Sequence, residues 1–132
     1  MIEVRTLRAC DPFPEGFATG YERMPVMKNW VWVAEEDGEI AGLLMAAPMH
    51  GLIYLMIFRV RDGAPRTTAF RLLRGCMRES LKRGFNGFFL HVDPTDTEVQ
   101  RKLIPLVRRA KGIQMLIPQV MLVGSTAQAA RF

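Results

Sequence analysis

The residues best suited to chemistry form the stretch Arg61-Asp-Gly-Ala-Pro-Arg66-Thr67-Thr68-Ala69, which joins an apolar run to a basic amphipathic one. At a strand-to-helix junction the first N–H groups of the helix have no partner within it and lie at its positive dipole end. Such a junction is an anion site. The chemistry it offers is capture of a phosphate-bearing ligand. Arg66 supplies charge, and Thr67 and Thr68 supply hydroxyl donors, whereas Pro65 has no amide to give.

Proton-transfer chemistry has fewer candidates. The two histidines are His50, in the turn-forming cluster Pro48-Met-His-Gly51, and His91, flanked by Leu90 and Val92. A lone imidazole in such a setting is more often structural than catalytic. Cys10 and Cys76 belong to no Cys-x-x-Cys or Cys/His cluster, so both read as buried thiols in a reducing compartment, with no metal site expected. Met1-Ile-Glu-Val-Arg5 lacks the basic start and apolar core of an export signal, so the expected location is the cytoplasm.

The elements that must hold these residues follow from periodicity. Ile2, Val4 and Leu7 mark a first strand, and a Pro/Gly-punctuated stretch runs from Asp11 to Pro25. Asn29-Trp-Val-Trp-Val-Ala34 reads as a second strand, with Trp30 and Trp32 as core or interface aromatics. Asp37-Gly38 then signals a hairpin into a third strand, Ile40 to Met49, and Leu52 to Val60 is the fourth. Ala69, Leu72, Leu73, Cys76, Met77 and Leu81 recur at helical spacing, which predicts a helix from about Thr68 to Arg83 with Arg71, Arg74, Arg78 and Lys82 on its solvated side. Phe88 to Val92 is a short strand parallel to the fourth. Thr95-Asp-Thr-Glu98 has capping-box spacing and opens a second helix that ends at Gly112, with a kink or break expected between Leu103 and Leu106 at Pro105. Met115 to Ile117 and Val120 to Val123 are the last strands. With 132 residues the chain is expected to be one domain, residues 1–124, followed by a flexible tail, 125–132.

Charge is divided unevenly. Residues 1–58 hold four Lys/Arg against eight Asp/Glu, and residues 59–132 hold fourteen against five, so the second half faces an anionic partner. A nucleotide-like cofactor or an acidic protein surface fits better than nucleic acid, for which there is no aromatic-interleaved basic motif, helix-turn-helix or zinc spacing. Ile40 to Phe58 carries no charge and nearly reaches the ~20 residues of a bilayer span. The Pro48 to Gly51 cluster divides it into hairpin strands, and no membrane insertion is expected.

The order of elements resembles the GNAT superfamily of acyl-CoA-dependent N-acyltransferases over about residues 2–123. Lys82-Arg-Gly-Phe85 looks like the Arg-Arg-Gly-Tyr ending of that family's helix, which maps the family's loop, Gln/Arg-x-x-Gly-x-Gly/Ala, onto Ala64-Pro-Arg-Thr-Thr-Ala69. Ala69 matches, while Ala64 and Thr67 replace the expected Gln or Arg and Gly. A looser pattern, similar to GNAT-like proteins of bacteriophages, has a small residue for that glycine and then Arg-Leu-Leu-Arg, as at Arg71-Leu-Leu-Arg74.

The resemblance implies an α+β fold with a mixed, mostly antiparallel twisted sheet of about six to seven strands, two main helices and a central βαβ unit. It implies acetyl-CoA as cofactor, held through its pyrophosphate by Val60, Arg61, Arg66, Thr67, Thr68, Ala69 and Arg71. The family's acid, a tyrosine on the helix after the fifth strand, maps to Leu103 or Arg108, so that acid is missing. His91 and Asp93 are the nearest candidates for a base. The segment from Ala9 to Asn29 is about half as long as the family's acceptor-side helices, which implies a protein-sized acceptor or none. Two readings stay open: an N-acyltransferase of weak or absent activity, and a non-catalytic structural or assembly protein, homo-oligomeric or partner-bound and without cofactor, located in the virion if phage-encoded.

Overall fold

The computed structural model describes residues 2–92, Thr95, 97–117 and 119–132, with the backbone only at 98, 99, 113–117, 119 and 120. Strands β1 (Ile2–Thr6), β2 (Val31–Glu36), β3 (Glu39–Met49) and β4 (Leu52–Val60) pair antiparallel in sequence order. Helix α1 (Thr68–Lys82) crosses over to β5 (Gly87–Val92), which lies parallel to β4. Helix α2 (Thr97–Arg109) leads to β6 (Ile113–Ile117) and β7 (Gln119–Ser125), and β7 inserts between β5 and β6, antiparallel to both. The result is one sheet of seven strands, β1-β2-β3-β4-β5-β7-β6, closed by a short helix α3 (Thr126–Ala129).

Two hairpin turns set the register of the antiparallel half. Asp37 and Gly38 have φ of 51° and 81°, and His50 and Gly51 repeat the same pair of values. Positive φ at both central residues is the turn whose twist matches that of flanking strands. His50 is therefore an exposed turn residue, in line with a structural role.

The sheet has a dry face and a partly covered one. On the first, Leu72, Leu73, Cys76 and Met77 of α1 pack on Trp32, Leu44, Ile53, Phe88 and Leu122, with Val107 and Ala110 joining the same cluster. Gly75 brings α1 down onto β1, since a Cβ there would stand 2.6 Å from the Val4 side chain. On the other face Val31, Val33, Leu43 and Met45 are buried beneath Leu7 and Phe17 of the irregular segment between β1 and β2. Strand β2, buried on both faces through its first four residues, accordingly reads as an unbroken apolar run.

Three expectations are corrected. The tail is folded: Thr126 and Ala129 are fully buried, Ser125 caps α3 by accepting from the Gln128 N–H, and Arg74 and Arg78 of α1 donate to the carbonyls of Phe132 and Ala130. Small residues let this segment lie close on α1, and small residues carry no periodic signal. Arg74, half-buried, and Arg78, exposed as its stripe implied, thus also clamp the tail. Of the kink or break expected between Leu103 and Leu106, the break does not occur: helix α2 continues through Pro105, which is exposed, where water can take the carbonyl left without a donor. Cys10 is exposed, and only Cys76 is the buried thiol expected. Among the described residues no helix is long and apolar enough to cross a membrane.

Candidate functional site

The parallel pair at the centre of the sheet is short. β4 and β5 share only Leu52 with Gly87, Ile53 with Phe88 and Tyr54 with Phe89, yet β4 continues to Val60 and β5 to Val92. The register of β3 against β4 shifts just beyond, with Met45 opposite Ile57 and Ala46 opposite Leu55, so Met56 is an extra residue in β4. A bulge bends and twists the strand that carries it. Here it lies two residues after Phe89's partner Tyr54, beyond which β4 no longer pairs with β5 and the strands part into a wedge. Backbone N–H and C=O groups along its two edges are free of ladder bonds and available to an extended ligand that carries amides. Gly87 keeps the closed end tight, because a Cβ there would come within 2.7 Å of Leu52.

The open end of the wedge leads to the start of α1. Thr68 donates its amide to Pro65 and Arg71 donates to Thr67, but among the described residues the amides of Arg66, Thr67, Ala69 and Phe70 have no backbone acceptor. Thr67 caps the helix without a side-chain bond, and no acidic residue occupies the first turn to neutralise the dipole. Thr68 is fully buried with an unpartnered Oγ1, and its methyl group faces Gly42. Four free amides and the exposed Arg66 side chain fit a phosphate group, whereas the Thr68 hydroxyl, expected as a donor, is buried in the fold and out of a ligand's reach.

Beside this helix start lies a cavity of about 260 Å³ lined by Thr67, Phe70, Arg71, Arg74, Arg109 and Phe132. The Arg109 guanidinium stands 5.3 Å from the Phe70 ring centre and 5.0 Å from that of Phe132. Thr67 and Arg71 thus meet groups that the sequence did not single out: Phe70 from α1, Arg109 from α2 and Phe132 from the C-terminal segment. The remaining candidates are placed differently. Val60 is exposed at the end of β4, and Ala69 is half-buried in the first turn of α1. Arg61 spends its amide on the Ala41 carbonyl and its side chain on Glu39 at 3.4 Å, with the Phe17 ring 5.7 Å away, so it ties the loop to β3 and the N-terminal segment.

At the closed end, Tyr54 and Phe89 project to the face away from α1. Their rings stack at 4.8 Å with 9° between planes, and His91 stands edge-on to both, at 5.5 Å and 5.9 Å. His91 Nδ1 is 3.4 Å from the Tyr54 hydroxyl. Asp93 lies outside the described residues. Leu103 packs against the core and Arg108 is exposed, so neither position of the missing helix tyrosine carries an acid. Burial pushes the Cys76 thiol up to about 12, which makes it inert as a nucleophile. Among the described residues no His, Cys, Asp and Glu cluster could hold a metal ion.

No family model and no curated protein matches the sequence. Solved structures do match. The ribosomal-protein-S18-alanine N-acetyltransferase from Escherichia coli superposes with a TM-score of 0.67 at 12% identity, over 96% of this chain and 94% of that one. Diaminobutyrate acetyltransferase EctA from Paenibacillus lautus, in complex with L-2,4-diaminobutyric acid and coenzyme A, gives 0.69 at 13% identity over 96% and 95%. A GNAT family acetyltransferase from Elizabethkingia anophelis with acetyl-CoA bound gives 0.69 at 10% identity over 94% and 97%. With superposition over nearly the whole length of each, this chain has the fold of the GNAT acetyltransferases.

Proposed function

We propose that the protein is an acyl-CoA-dependent N-acyltransferase with acetyl-CoA as donor. The observation that carries this reading is the wedge between β4 and β5, opening onto the unpartnered amides of α1. From Tyr54 to Val60 it extends six residue steps, roughly 20 Å in extended chain, a length suited to a pantetheine arm. The pyrophosphate is assigned to the amides of Arg66, Thr67, Ala69 and Phe70, with charge from Arg66 and Arg71. The nucleotide end is assigned to the cavity, where Phe70 and Phe132 offer ring faces and Arg74 and Arg109 offer cations for its phosphate. Two solved neighbours bear coenzyme A or acetyl-CoA, which supports the assignment.

A donor held in the wedge would bring its thioester toward the closed end at Tyr54 and Phe89, where His91 stands against the Phe89 ring. His91 is the assigned base for the attacking amine. A neutral imidazole within reach of the incoming nitrogen takes its proton as the C–N bond forms. The irregular segment between β1 and β2 packs on β2 to β4, and among the described residues no segment packs over Phe89 and His91 on that face of β5, which suits an amine on a large acceptor.

Calorimetric titration with acetyl-CoA and CoA tests the reading. Saturable binding that weakens in Arg66→Glu is expected. No binding by the folded protein would refute the reading and leave the fold to an assembly role.

A further inference from the structure

We infer that Tyr54 is the acid of this site and works with His91 as one proton relay. The inference rests on the acyltransferase reading and supplies the group that Leu103 and Arg108 fail to provide on α2. Three observations converge. Tyr54 is in the last β4 pair before the wedge opens, so its ring marks the place where an extended ligand must stop. Stacking on Phe89 fixes the phenol rather than leaving it to swing in solvent. Its hydroxyl faces His91 Nδ1 at 3.4 Å, a separation typical of catalytic pairs that tighten when substrate closes on them. Sequence spacing explains the juxtaposition: Phe89 and His91 alternate with the buried Phe88, Leu90 and Val92, so both share the open face with Tyr54.

The proton balance closes within the pair. His91 begins with its proton on Nδ1, donating to the Tyr54 oxygen, and its Nε2 lone pair free. As the amine nitrogen bonds to the thioester carbon, His91 Nε2 takes one amine proton. The C–S bond then breaks, and the Tyr54 O–H proton passes to the departing sulfur while the Nδ1 proton moves to the Tyr54 oxygen. Amide and thiol are formed, Tyr54 is restored, and His91 is left as the other neutral tautomer. Exposure of His91 lets solvent exchange reset it before the next turnover. A phenol and an alkyl thiol ionise in the same general range, so transfer between them has little thermodynamic cost.

The experiment uses the full chain, calorimetry with acetyl-CoA, and release of CoA to hydroxylamine, a nucleophile small enough to need no acceptor wall. Tyr54→Phe keeps the ring and its stack. We expect unchanged acetyl-CoA binding, KM for acetyl-CoA within about twofold, and kcat lower by about 100-fold. His91→Gln is expected to match that loss, with acetyl-CoA binding unchanged. The double variant is expected to lose no more than either single one, because the two groups act as a unit. Turnover of Tyr54→Phe within about twofold of the parent overturns the inference. So does a parent that binds acetyl-CoA and releases no CoA above background, which leaves the donor site standing. A folded parent that binds no acetyl-CoA overturns the acyltransferase reading itself.

Discussion

The two faces of the central sheet are built from the same strands and serve different ends. Toward α1, alternate residues such as Ile53, Phe88, Leu90 and Leu122 are buried in one continuous cluster with the helices. Toward the other side, their neighbours Tyr54, Phe89 and His91 are half-buried or exposed, in contact chiefly with one another. Where, among the described residues, no segment covers the second face, as along β5, a period of two makes this division of labour: Phe88 and Leu90 enter the core, and Phe89 and His91 between and after them are free to act. The dry face fixes where the parallel strands close. The open face inherits that precision.

Adjacent phenylalanines on β5 put the contrast to its hardest test. Phe88 is 1% exposed, and Phe88→Ala should cost about 3–5 kcal/mol, read as a large fall in the urea midpoint. Phe89→Ala removes a half-buried ring and one stacked pair, for which about 1 kcal/mol is expected. If the costs are equal, the open face is a core and the division fails. Phe89→Ala should nevertheless lower kcat for CoA release, since the Tyr54 ring loses its support.

At the other end of the wedge the expected effects fall on binding. Arg66→Glu reverses a charge beside the free amides of α1 and should weaken acetyl-CoA affinity about tenfold in calorimetry, more at low salt than at moderate salt. An unchanged affinity would remove the helix start from the site. Phe132→Ala takes away one of the two rings that flank Arg109, and with it one wall of the cavity. A loss of a few-fold is expected for CoA and a smaller one for dephospho-CoA, provided that Arg109 serves the terminal phosphate. Equal losses would assign the cavity to the base alone.

Much of this frame was legible in the sequence, because the elements that build it are strongly periodic. Residues 29–92 announce three hairpin-linked strands, a stripe of apolar residues at helical spacing and a parallel strand. The helix start was legible for the same reason. The cavity was not, since Phe70, Arg109 and Phe132 come from three elements that only tertiary packing brings together. Nor was Tyr54 as a partner for His91: sequence places them 37 residues apart, and their contact depends on which β4 residue lies opposite Phe89. That register, Tyr54 opposite Phe89 across a parallel pair joined by a whole helix, leaves no local mark in the sequence. The clamps from Arg74 and Arg78 were hidden for another reason, because an arginine on a helix face looks the same whether water or a backbone carbonyl takes its hydrogen bonds.

The smallest expected effect concerns what holds the irregular segment over its half of the second face. Asp11 accepts from the Arg8 backbone N–H at 2.8 Å and pairs with Arg5 at 2.8 Å, while Arg5 also reaches Glu35 at 3.0 Å. These bonds hold the Asp11 carboxyl below its ordinary value of 3.8, the backbone bond from Arg8 being the largest cause and Arg5 the next. An acid held below its unfolded value binds fewer protons in the folded chain than in the unfolded one, so stability from this contact is present above about pH 4 and is lost as pH falls through the lower folded value. Asp11→Asn should therefore be slightly less stable than the parent at neutral pH. The gap between their urea midpoints should narrow in acid as the parent carboxylate is protonated. Because the groups are largely solvated, the effect is expected to be small and reduced by salt. A gap that stays constant down to about pH 3 would mean the segment is held by Phe17 and Leu7 packing alone, and that the charges at its edge contribute nothing to holding it over β2 to β4.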